Sequence, residues 1–142
     1  MRETTTIAAT EDDTMAAGRA LGATLSAGTT VLLYGDLGAG KTAFVRGLAE
    51  GLGIEPGEVS SPTFTLVQEY RGPRITLQHV DLYRLSPADV ADLALDDLLD
   101  EATIMAIEWA EHLLRPPFGS VVSVRLSHVA EGRRIEISSP SA

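Results

Sequence analysis

Eight consecutive residues constrain this chain more than any others: Gly35-Asp36-Leu37-Gly38-Ala39-Gly40-Lys41-Thr42 fits G-x-x-x-x-G-K-[ST] without a mismatch. The chemistry explains the residue types. Glycines let a loop wrap closely enough for successive backbone N–H groups to point at phosphate oxygens. The helix that follows adds its positive N-terminal end. In such a loop Lys41 reaches the β- and γ-phosphates as a point charge, and Thr42 offers its hydroxyl to magnesium. The flanking sequence supplies the required context. Thr30 to Tyr34 (T-V-L-L-Y) has the apolar, β-branched composition of a strand buried on both faces. Phe44, Val45, Leu48, Ala49 and Leu52 form one helical stripe from Lys41 to about Leu52, ended by Gly51 and Gly53. A chance match to the pattern is expected in roughly one in a thousand chains of this composition. The only lysine of the chain falls on the position where the pattern demands one. The loop is therefore read as a nucleotide-phosphate site.

The remaining pattern predicts an α/β fold on one domain spanning residues 1–142: a phosphate-loop NTPase architecture with a central, mostly parallel β-sheet, flanking helices and antiparallel strand pairs. Thr4 to Ala9 reads as a first strand. Thr10 to Asp13 reads as a capped helix start, with the helix running to about Ser26. Thr63 to Tyr70 and Ile75 to Asp81 read as strands paired across a Gly72-Pro73 turn. Pro87 opens a helix carrying Asp89, Asp92, Asp96, Asp97, Asp100 and Glu101. Thr103 to Ile107 is a further apolar strand, and Val121 to Val129 with Arg133 to Ser138 read as a hairpin around Glu131-Gly132.

Composition removes several function classes. There is no cysteine, which excludes disulfides, thiolate metal sites and cysteine nucleophiles. No apolar run approaches the roughly 18 residues of a membrane span, and the N-terminus lacks the pattern of a secretory signal, so a cytoplasmic protein with no membrane role is expected. Twenty acidic residues against eleven basic ones give a net charge of −9. A chain that grips nucleic acid unaided carries a basic face instead. Guanine is commonly read by Asn-Lys-x-Asp, and this chain has no asparagine and no lysine to spare, which removes the usual GTPase reading.

Four ordered segments carry a more specific resemblance. They are G-D-L-G-A-G-K-T-A-F-V-R-G-L (Gly35 to Leu48), S-P-T-F-T-L-V-Q-E-Y (Ser61 to Tyr70), H-V-D-L-Y-R-L (His79 to Leu85) and I-E-W-A-E (Ile107 to Glu111). The series resembles the TsaE family, also known as YjeE, over roughly residues 10 to 137. It departs at Val80, where an aromatic residue is common. The resemblance implies a small bacterial ATPase that uses ATP and Mg2+ in making threonylcarbamoyladenosine in tRNA. Its implied partners are the TsaB and TsaD proteins, with tRNA reached only through them and the oligomeric state left open. It marks Asp81 and Glu108 as the functional acids. Each ends an apolar strand, where phosphate-loop enzymes place the acid near magnesium. Glu108, behind the longer apolar run, is expected to help Thr42 hold magnesium, directly or through water. Asp81 is expected to orient the attacking water or a metal-bound water, and the division of roles between them stays open. Thr10 lies near the base in the family's arrangement and otherwise reads as a helix cap.

Other residues are weaker signals. Arg133 or Arg134 is placed to reach the nucleotide from the terminal hairpin. Ser61 to Thr65 resembles a switch segment, with Thr63 or Thr65 sensing the γ-phosphate. His79, a lone strand histidine, reads as a core residue. Trp109, the sole tryptophan, reads as core, a partner contact or a reporter of the site. A small-molecule kinase on the same loop is the competing activity, but the acidic stretch after Pro87 would repel anionic acceptors.

Overall fold

The computed structural model describes residues 2–36, 38–55, 67–91, 95–113 and 119–139. Seven strands form one sheet in the order β1-β7-β6-β2-β5-β4-β3. They are β1 (Arg2–Ala8), β2 (Thr29–Tyr34), β3 (Val67–Arg71), β4 (Thr76–Asp81), β5 (Thr103–Glu108), β6 (Ser120–Val129) and β7 (Gly132–Ser139). The four central strands, β6, β2, β5 and β4, run parallel, and antiparallel neighbours close both sides. This is the mixed sheet with flanking helices that the sequence predicts. All six residues of β5 are buried, as are Thr29 to Leu33 of β2. That is why these strands read as continuous apolar runs rather than alternating ones.

Two helices cover one face of the sheet: α1 (Glu11–Gly22) and α2 (Lys41–Gly51). Phe44, Val45, Leu48 and Ala49 of α2 pack with Val31, Leu33, Ile104, Val124 and Ile135. The opposite face is covered by α3 (Pro87–Ala91) and a 3-10 turn at Leu95–Leu98, which pack on Leu32, Met105 and Ile107. The two larger helices touch backbone to backbone. A Cβ on Gly18 would lie 2.2 Å from the Phe44 carbonyl oxygen, and one on Gly47 would lie 1.9 Å from that of Met15. Met15 meets Gly47 and Gly22 meets Leu48 and Gly51, so the helices run roughly parallel. Their positive N-terminal ends consequently lie at the same end of the sheet.

Two boundaries differ from the sequence reading. Helix α1 stops at Gly22 rather than near Ser26, because Ala23 caps it by donating to Arg19 and Leu21 and the Thr24 hydroxyl folds back on Leu21. The helix predicted from Pro87 to Glu101 is not continued to that point. Asp100 instead closes a turn, accepting from the Ala102 N–H at 2.8 Å and the Thr103 hydroxyl at 2.7 Å, which launches β5. The predicted strand Thr63 to Tyr70 is met by β3 from Val67 onward; its first four residues lie outside the described residues.

Candidate functional site

The loop between β2 and α2 lies at the C-terminal end of β2, in the middle of the parallel strands, where open α/β sheets form ligand crevices. Gly38 and Gly40 take φ of +79° and +101°, a left-handed backbone that side-chain-bearing residues rarely adopt. Lys41 opens α2 and is 5% exposed. Its ammonium turns back into the loop, donating to the Gly35 carbonyl and, at 3.4 Å, to that of Asp36. Burial lowers the Lys41 pKa, opposed by the charges of Glu108, Glu111, Asp81 and Asp36.

The two sequence-predicted acids meet here. Asp81 and Glu108 face each other in the parallel register of β4 and β5. The Thr42 hydroxyl lies 3.5 and 3.4 Å from the two Glu108 carboxylate oxygens. A hydroxyl beside a carboxylate is the set of hard oxygen donors that magnesium accepts when phosphates and waters complete its shell. Among the described residues there is no group of three or more His, Cys, Asp or Glu side chains placed to cage a metal, so any cation here would share its shell with a ligand. Glu108 is 3% exposed and takes a 2.5 Å hydrogen bond from His79, itself completely buried. Asp81 is half-buried. Its pKa is raised by that burial, and the Tyr83 backbone N–H, donating at 2.9 Å, works against the shift.

Trp109 is the single non-glycine residue with positive φ among those described, at +60°. A bulky residue in the left-handed region is strained and persists where its surroundings hold it. The turn it makes directly after Glu108 brings its ring 3.7 Å from the Lys41 ammonium, measured to the ring centroid, and 4.9 Å from the Tyr83 ring. Tyr83 is 49% exposed.

These groups border a cleft of about 550 Å³. Its far wall comes from the β1–α1 junction and the β6–β7 hairpin. Thr10 is there the N-cap of α1 in a reciprocal capping box: it accepts from the Asp13 N–H at 3.1 Å and gives its own N–H to Asp13 at 3.3 Å. Arg133 reaches the glycine-rich loop and donates to the Gly38 carbonyl at 3.3 Å, whereas Arg134 does not line the cleft. Ala39 is buried beneath the loop and Asp36 is exposed. Leu37 and the Ser61–Thr65 segment lie outside the described residues.

Sequence reasoning missed two features. The first is the buried His79 on Glu108. The second is local charge: Lys41, Arg46, Arg84 and Arg133 line the cleft against Glu11, Asp81 and Glu108, an excess of cations in a chain of net charge −9. The sequence signal for His79 was its place two residues before Asp81 in one strand, which puts both on the same face.

The chain as a whole is similar to known proteins. The family model for threonylcarbamoyl adenosine biosynthesis protein TsaE matches residues 8–135. The tRNA threonylcarbamoyladenosine biosynthesis protein TsaE of Nostoc sp. strain PCC 7120 is 46% identical over 131 residues, covering 89% of this chain and 79% of the relative. That of Treponema pallidum is 42% identical, covering 86% and 90%. A crystal structure of Bacillus subtilis YdiB superposes with a TM-score of 0.75 at 26% identity, covering 99% of this chain and 86% of that one.

Proposed function

The chain belongs to the TsaE family, and from that premise we propose that it is an ATPase that binds and hydrolyses Mg-ATP to support threonylcarbamoyladenosine modification of tRNA, in an assembly with TsaB and TsaD. The observation that carries the ATPase reading is the meeting of Lys41, Thr42 and Glu108 around one glycine-rich loop. The cleft's lining, four cations against three acids, has the sign that a triphosphate needs in a chain of net charge −9.

In this reading the backbone N–H groups of Gly38 to Thr42 and the α2 N-terminus hold the phosphates. Lys41 leaves the loop carbonyls for phosphate oxygens, which replace them as acceptors for its charge. Thr42 and Glu108 are the residues that would hold magnesium, which would supply charge neutralisation at the phosphates. Asp81, beside Glu108 and more open to solvent, orients the attacking water. Arg133, on the Gly38 carbonyl, steadies the loop from the hairpin side. The net charge of −9 disfavours unaided tRNA binding, so contact with tRNA runs through protein partners.

A single small chain has little material to enclose the γ-phosphate and exclude water, so hydrolysis in isolation is expected to be slow. The test is ATP hydrolysis by the chain alone and with TsaB and TsaD, with formation of modified tRNA followed in parallel. Weak activity alone and stimulation by the partners is the expected result. Full activity that the partners leave unchanged, or transfer of the γ-phosphate to a small molecule, overturns the reading.

A further inference from the structure

His79 is completely buried on β4, yet it is not a core residue with its polar atoms satisfied in the ordinary way. In the parallel register it faces Ala106, whose small side chain leaves room for the imidazole to reach diagonally to Glu108, two positions further along on the same face. Nε2 lies 2.5 Å from Glu108 Oε2, and the Tyr70 ring packs on the imidazole with centroids 6.2 Å apart. Nδ1 is buried and has no hydrogen-bond partner among the described residues. A carboxylate oxygen accepts, so the contact is the imidazole Nε2–H donating to Glu108.

We propose that His79 is a positioning residue for Glu108: its Nε2–H holds Oε2 and so fixes the carboxylate with both oxygens within 3.5 Å of the Thr42 hydroxyl, for the cation that the pair would share. This inference rests on the Mg-ATP reading above and adds to it a residue that fixes the orientation of the acid. Histidine and carboxylate partners of this kind orient metal ligands, and their removal costs about 10–100-fold in metal affinity or activity.

Glutamine places its amide nitrogen where imidazole Nε2 sits, whereas asparagine reaches only as far as Nδ1. The experiment compares wild type, His79→Gln, His79→Asn and His79→Leu, after thermal denaturation establishes that each is folded. Binding of the non-hydrolysable β,γ-imido analogue of ATP is measured by calorimetry across a magnesium titration and in EDTA. The magnesium concentration giving half-maximal tightening is expected to rise by about 10–100-fold in His79→Leu and His79→Asn. In His79→Gln it is expected to stay within about threefold of wild type, and affinity in EDTA to be equal in all four. Wild-type metal dependence in the leucine and asparagine variants overturns the proposal, as does a glutamine variant no better than leucine. If wild type itself fails to bind the analogue at any magnesium concentration, the Mg-ATP reading falls and the positioning role falls with it. Wild-type binding with an unaffected His79→Leu variant overturns the positioning role alone.

Discussion

Asp81 and Glu108 end neighbouring parallel strands and face each other in register, yet the ends of β4 and β5 are built differently. Glu108 is 3% exposed, with His79 on Oε2 and the Thr42 hydroxyl within 3.5 Å of both carboxylate oxygens. Asp81 is half-buried beside the exposed Tyr83 and Arg84, with the Tyr83 backbone N–H on its carboxylate. The strand beneath Glu108 is central and buried on both faces, while beyond the buried Leu82 the chain after Asp81 is exposed at Tyr83 and Arg84. Strand position alone makes two such acids equivalent, and their neighbours make them different. A carboxylate with fixed orientation suits a metal ligand; one with access to water suits a group that handles water.

The largest effect expected from that difference is at Glu108. Glu108→Ala should lower ATP hydrolysis by about 1000-fold and remove most of the magnesium dependence of nucleotide binding, since it takes away the acid beside Thr42. Asp81→Asn should lower hydrolysis by about 100-fold while leaving the magnesium dependence of binding near that of wild type. Steady-state rates and binding titrations with and without magnesium separate the two. A variant pair with identical profiles in both measurements would break the distinction.

Stability sharpens the same contrast in the opposite direction. The folded state raises the pKa of Asp81 from 3.8, so it binds this proton more tightly than the unfolded chain does. The stability contributed by the protonated carboxyl is full below 3.8 and is lost as pH rises through the elevated folded value. At neutral pH, without metal or nucleotide, Asp81→Asn should therefore melt slightly higher than wild type, and the gap should close in acid. Melting curves at several pH values check this. A variant less stable than wild type at neutral pH would contradict the cause given for the shift.

The smallest effect is expected on the far wall of the cleft. Thr10→Ala removes the capping box of α1 and should cost about 1 kcal/mol of stability. If Thr10 serves the fold through its cap alone, nucleotide affinity should stay within about threefold of wild type. A large loss of affinity at unchanged melting temperature would give Thr10 a direct part in binding.

How much of this was legible in the sequence follows the range of the interactions. The loop from Gly35 to Thr42 is contiguous, and its glycines and lysine are dictated locally, so the pattern located it together with the strand and helix on either side. The β6–β7 hairpin was readable for the same reason, through Glu131 and Gly132. Asp81 and Glu108 were visible as acids ending apolar runs. Their pairing, and the diagonal reach of His79 to Glu108, depend on β4 and β5 being neighbours, which no local pattern encodes. The glycines of α1 and α2 carried a signal that composition alone hides. Gly18 and Gly22, and likewise Gly47 and Gly51, recur at a spacing of four and form a backbone contact between helices. The helix predicted from Pro87 does not reach Glu101, because the Asp100 side chain holds a turn through the Ala102 N–H and the Thr103 hydroxyl.

The central claim is that the loop from Gly35 to Thr42 binds Mg-ATP with Lys41 as its cation. Calorimetric titration of wild type and Lys41→Ala with Mg-ATP, and of wild type with Mg-GTP, tests it directly. The account predicts saturable ATP binding by wild type, preference for ATP over GTP, and a loss of at least about 100-fold in the Lys41→Ala variant, which leaves phosphate charge buried without its partner. Equal affinity of the two proteins for Mg-ATP, or tight GTP binding with negligible ATP binding, would contradict it.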